Sequence, residues 1–259
     1  MQTISTLDEG LQRLMDTYGA PPSNGERPDA NPFQTRRWLD ASTLAGQNPE
    51  ARQRVLFPWR MERRFLELRG LCENDTLGSL STLRLARFVS DDCSTLPREL
   101  YRLLDLAEWL GGAGVQRLYA VGGSEMCANL IVRLAGGALV ALEAGCSLPA
   151  GSSPLDRHEL ISTRGVASDR VVDTQIPQES VYVYDASGSR SHLDVDAELF
   201  GLTASETALV RAGYASLADP DLSARRRRHA YLNRLLEGVL HSMEHGTVET
   251  FPTLENVHL

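Results

Sequence analysis

The stretch Leu104-Asp105-Leu106-Ala107-Glu108-Trp109-Leu110-Gly111, with Gly112 and Gly114 behind it and the apolar run Val115 to Val121 beyond, decides how this chain is read. Extended back to Leu100, it predicts a helix over Leu100 to Leu110 that glycine stops, followed directly by a strand. Upstream, Arg60 to Asn74 predicts another helix, with Met61, Phe65, Leu68 and Leu71 or Cys72 on one face and Leu77-Gly78 as its stop. Between these two, Leu80 to Val89 alternates apolar and polar residues through Leu83, Arg84, Leu85 and Arg87, the period of a half-buried strand.

Beyond Val121 the pattern is strand-rich: Met126 to Leu134, Ala138 to Gly145, Glu159 to Thr163, Arg170 to Thr174 and Val181 to Tyr184. Turn residues join most of them, which favours antiparallel pairing over a βαβ series. Two helices close the chain, Ala204 to Leu217 and Ser223 to His245, separated by Asp219-Pro220-Asp221. At the other end, Thr6-Leu7-Asp8-Glu9 has the form of a capping box that opens a short helix ending near Gly19. Pro21, Pro22, Gly25, Pro28 and Pro32 then make Ala20 to Pro32 a linker. The order predicts an α+β fold, a largely antiparallel open β-sheet with helices packed on one face. A second copy or a partner is the natural cover for the other face.

Of 259 residues, 42% are hydrophobic and 23% charged, the balance of a folded globular protein. No secretory leader or membrane span is expected, and the apolar region Ala128 to Ala144 is broken by Arg133 and Gly136-Gly137, as in a hairpin. A cytoplasmic protein is the expectation. A net charge of −8 argues against nucleic-acid binding. The basic run Arg225 to Arg228 reads as a solvated helix face. The four cysteines, Cys72, Cys93, Cys127 and Cys146, include no Cys-x-x-Cys pair and read as reduced thiols. All 26 basic residues are arginine, so lysine chemistry of any kind is excluded.

The segment Arg60-Met61-Glu62-Arg63-Arg64-Phe65, the Leu77-Gly78 stop and the Leu104 to Gly111 helix resemble, in order and spacing, the C-terminal domain of the Gfo/Idh/MocA dehydrogenases. The hairpin Ala128 to Glu143, the Glu159 to Gly165 strand and turn, and the ending Leu240 to Gly246 also resemble their family counterparts. Together these matches run from about Arg54 to Val248. The resemblance implies a division into residues 1–53, an N-terminal helix and Pro/Gly-rich linker, and residues 54–259, the family-like α+β domain.

The departures from the family bear on function. A nucleotide-binding Rossmann domain precedes this domain in the family, and nothing in the sequence corresponds to its Gly-rich βα turn. Gly112-Ala113-Gly114 is the one Gly-rich candidate, and it runs from helix to strand, the reverse of the required context. The family's Glu-Lys-Pro motif has no counterpart in a chain without lysine. By the resemblance, the catalytic Asp and His of the helix fall on Arg98 and Arg102, which stay protonated and cannot pass a proton. Catalytic, cofactor-binding and metal-binding residues are therefore not expected. Arg98, Arg102 and Arg60 are the candidate ligand-binding residues, able to grip a carboxylate or phosphate, with structural ion pairs to Asp91, Asp92, Glu99 or Asp105 as the alternative.

His241-x-x-Glu244-His245 matches an inverted zinc-protease pattern, but the chain after it leaves little room for the further ligand. Asp156, His158 and Glu159 lack a nucleophile at fixed spacing, and His158 reads as a polar edge residue. The expected function is a non-catalytic oxidoreductase-like scaffold, a pseudoenzyme that forms a homodimer through its open sheet face. The alternative is the substrate-binding subunit of a split NAD(P)-dependent sugar or sugar-acid dehydrogenase, with NAD(P) held by a separate Rossmann partner. No nucleic-acid or membrane partner is expected.

Overall fold

The computed structural model describes residues 4–19, 31–90, 95–124, 126–169, 180–193, 201–219 and 221–252. In chain order its elements are α1 (Ile4–Tyr18), β1 (Trp38–Asp40), β2 (Arg54–Leu56), α2 (Arg63–Glu73), β3 (Leu80–Phe88) and α3 (Leu96–Gly111). Then come β4 (Val115–Ser124), β5 (Cys127–Leu134), β6 (Leu139–Gly145), β7 (Leu155–Ser162), β8 (Gly165–Ser168), β9 (Ser180–Asp185) and β10 (Gly188–Leu193). The chain closes with α4 (Ala204–Ala218), α5 (Leu222–His245) and β11 (Glu249–Thr250). They form two compact units, Met1–Glu62 with Asp194–Tyr231, and Arg63–Leu193 with Leu232–Leu259.

The first unit is built on α1, α4 and the short parallel pair β1–β2. Leu11, Phe33, Trp38, Leu56 and Val210 make its core. Gly213 lets α4 come close to Trp38, whose Cζ3 lies 2.8 Å from where a Cβ would stand. Thr6 to Glu9 lies inside α1, so the expected capping box does not form there, since a capping threonine must sit outside the helix. Asp8 instead accepts the Phe33 N–H at 3.2 Å, and burial pushes its carboxyl above the ordinary range. The capping box of this unit is at α4, where Thr203 and Glu206 satisfy each other's backbone N–H. The basic run is also not a solvated face. Arg226 donates to the carbonyls of Glu50, Ala51 and Gln53, each at 2.7 Å, Arg225 pairs with Asp219, and Arg228 is buried.

The second unit holds a nine-stranded sheet in the order β10-β9-β8-β7-β3-β6-β5-β4-β11. Every pairing is antiparallel except the central β3–β6, which is parallel. That parallel contact follows from the connection, because α3, β4 and β5 intervene between the two strands. α3 packs on β3, β5 and β6, and α2 packs on α3. Leu83, Leu85, Leu130, Val132, Val140 and Leu142 point to the helices and are fully buried. On the opposite face Ile131 is 56% and Val121 48% exposed, beside Tyr119 and Leu139. The α+β class and the largely antiparallel sheet agree with the sequence reading.

Several boundaries moved. The helix expected from Arg60 is split into a 3-10 turn at Pro58–Met61 and α2, because Glu62 is extended at φ −67 and ψ 132. Met61 thereby leaves the Phe65 face and packs on the first unit's core. The Glu159 strand begins earlier, at Leu155. The short strands β1, β2, β8, β10 and β11 had no periodicity long enough to be read. The expected strand Arg170 to Thr174 lies outside the described residues, as do Asp91, Asp92 and Cys93.

Candidate functional site

Strand alternation settles which polar residues of β7 work together. Asp156, His158 and Leu160 face the helices, while Leu155, Arg157 and Glu159 face the open side, so Asp156, His158 and Glu159 are divided between two faces and form no single cluster. On the helix side, Asp156 accepts from Arg64 Nη2 at 2.8 Å and from Arg87 Nη1 at 2.7 Å. Arg87 also binds Glu99 of α3 through Nε at 2.6 Å. His158 is fully buried, not a polar edge residue. Its backbone N–H donates to Asp169 Oδ1 at 2.7 Å, and its ring Nδ1 binds Asp169 Oδ2. Arg64 Nη1 completes the group, 3.6 Å from Asp169.

Phe65 is the apolar floor of this cluster. Its ring meets His158 edge-on at 4.6 Å, and the guanidinium carbons of Arg64 and Arg102 stand 4.8 and 5.9 Å from its centroid. Burial by itself would raise the Asp156 carboxyl, but the charges of Arg64, Arg87, Arg102 and His158 hold it far below the usual range. Asp169 is lowered in the same way, with burial outweighed by His158 and Arg64. Both carboxylates are thus fixed as anions. Neither is poised for acid–base work near neutral pH, and arginine cannot supply it. His158 Nε2 is buried and has no hydrogen-bond partner among the described residues.

Of the three candidate arginines, Arg102 joins this cluster, while Arg98, one turn earlier on α3, is exposed. Arg60 belongs to the first unit, its guanidinium carbon 5.1 Å from the Phe57 ring. Glu99 pairs with Arg87. Arg64, Arg87 and Asp169 were missed by sequence reasoning. Arg87 lies opposite Asp156 in the β3–β7 register, a pairing that the spacing of neither strand reveals. The run Gly112 to Gly114 joins α3 to β4, with Gly112 in the left-handed region at φ +65. It offers no helix N-terminus to a pyrophosphate. Among the described residues no group of three His, Cys, Asp or Glu side chains is placed to hold a metal, and no helix is long and apolar enough to cross a membrane.

Solved structures share this architecture. Levoglucosan dehydrogenase in complex with NADH and levoglucosan matches at a TM-score of 0.60 and 15% identity, over 77% of this chain and 66% of its own. The fold is that of the Gfo/Idh/MocA-type oxidoreductases. An oxidoreductase from Agrobacterium radiobacter in complex with NAD+, L-tartaric acid and magnesium matches at 0.59 and 13% identity, over 76% of this chain and 65% of its own. An oxidoreductase domain protein from Kribbella flavida matches at 0.60 and 14% identity, over 82% and 68%. The chain spans less than two thirds of the length of the first two. By sequence, no family model and no curated protein matches it.

Proposed function

We propose that this chain is a non-catalytic scaffold of the dehydrogenase fold, working in the cytoplasm, that pairs with a second copy through its open sheet face. The observation that carries this reading is the state of Arg102. By the resemblance it stands where the family keeps its catalytic histidine, and here it lies against Phe65 in a cluster whose carboxylates are locked as anions. The open face supports the pairing. Tyr119, Val121 and Ile131 are exposed among Arg84, Arg133 and Glu143, and a surface carrying both signs of charge around apolar residues can oppose its own copy across a two-fold axis. Sedimentation of the purified protein should give a dimer, and nicotinamide nucleotides should leave its melting temperature unchanged. A monomer at all concentrations, or stabilisation by NAD(P)H alone, overturns this reading.

A second reading keeps the chain in an enzyme, as the substrate-binding subunit of a split NAD(P)-dependent sugar or sugar-acid dehydrogenase. The similarity to levoglucosan dehydrogenase with NADH and levoglucosan favours it. In that case Arg98 and Arg102, one turn apart on α3, are the residues proposed to bind an anionic group. Turnover that appears only on mixing with a Rossmann-only protein, and falls with Arg102→Ala, distinguishes this reading from the first.

A further inference from the structure

The open face of the sheet carries its charges in two ways. On β3 and β7 the outward ions satisfy one another, Arg84 and Arg157 both reaching Glu159, at 3.4 and 3.0 Å. On β4, β5 and β6 they do not. Arg117 and Arg133 stand directly opposite each other in the β4–β5 register, both exposed, an arrangement in which like charges repel. Glu143 of β6 is exposed on the same face, opposite Asn129 and so four residues along the strands from Arg133. At the rise of a strand that is roughly 13 Å, too far for an ion pair within the chain. Among the described residues, Arg117, Arg133 and Glu143 make no ion pair or side-chain hydrogen bond.

An uncharged row, Tyr119, Ile131 and Ala141, runs in register across β4, β5 and β6 between these charges. The two arginines lie on one side of it and Glu143 on the other, each two residues away. Two copies of a sheet packed face to face with strands nearly aligned are related by a two-fold axis either along the strands or across them. An axis along the strands lays the arginine row of one protomer on the same row of its partner. An axis across the strands, over the Tyr119–Ile131–Ala141 row, lays the arginine row on the row that holds Glu143. Resting on the homodimer reading above, we propose that the copies meet in this second way, so that Arg133 of each protomer, with Arg117 beside it, pairs with Glu143 of its partner. Symmetry makes the contact twice, and it supplies the counter-charge that the like-charged pair lacks within its own chain. The uncharged row is buried between the two sheets.

The test is sedimentation of the full-length protein beside Arg133→Glu and Glu143→Arg, with circular dichroism to show that each variant is folded. Each single change sets like charges against each other at both contacts and should raise the dimer dissociation constant by at least roughly tenfold. Mixing the two variants restores opposite charges at both contacts, so a heterodimer should form at concentrations where neither variant pairs alone. The double variant should dimerise by itself for the same reason. A parent-like dimer in either single variant, or a mixture that pairs no better than its components, overturns this arrangement even where the parent is a dimer. A parent protein that is monomeric at all concentrations overturns the homodimer reading itself, so the two failures are told apart.

Discussion

The two faces of the nine-stranded sheet are made by the same strands, yet they solve opposite problems. The helix-covered face takes Arg64, Arg87, Asp156, His158 and Asp169 out of water and pairs each charge with another. The open face leaves Ile131 and Val121 largely in solvent and keeps its ions in loose surface pairs such as Arg84–Glu159, at 3.4 Å. Polar residues are therefore buried where helices pack, and apolar residues such as Ile131 and Val121 are exposed on the other face among the described residues. The first arrangement makes the cluster structural, and the second is what the proposed pairing through the open face rests on.

Changes on the covered face should cost most. Phe65→Ala removes a fully buried ring under two guanidinium groups and the His158 ring and should cost about 3–5 kcal/mol in chemical denaturation. Asp156→Ala leaves Arg87 on Glu99 and Arg64 3.6 Å from Asp169, and should cost about 3 kcal/mol, the lower end for a broken buried pair, because both arginines keep a second carboxylate. Acid should act through the same residues. Asp156 and Asp169 have folded pKa values below their unfolded ones, so their stabilisation is present at neutral pH and is lost as the pH falls below about 3.9 toward the depressed values. A stability profile from pH 6 to pH 2 should show this loss, and Asp156→Ala should flatten it. On the open face, Ile131→Arg should change monomer stability by less than about 0.5 kcal/mol and still shift sedimentation toward the monomer. A large stability loss there, or none at Phe65, would break the contrast between the faces.

Much of the fold was legible because it is local. Apolar spacing placed α3, α4 and most of α5, and Gly78 and Gly112 mark stops where φ is positive. Alternation placed β3, and the apolar run broken by Gly136-Gly137 placed the hairpin of β5 and β6. The candidate site was legible only in part. Arg102 was found through the resemblance, while the partners of Asp156 come from α2 and β3, 92 and 69 residues away in sequence. His158 looked like an edge residue because its strand was read as starting at Glu159, which hid the alternation from Leu155 onward.

By itself, the sequence determined the helices, the longer strands and the absence of lysine chemistry, since each depends on residue type or short-range spacing. Only the tertiary structure decided the sheet order, the parallel contact of β3 with β6 and the burial of His158 beside Asp169. The physical reason is that register and ion pairing are settled by which distant segments share a low-dielectric interior. No local periodicity records that choice.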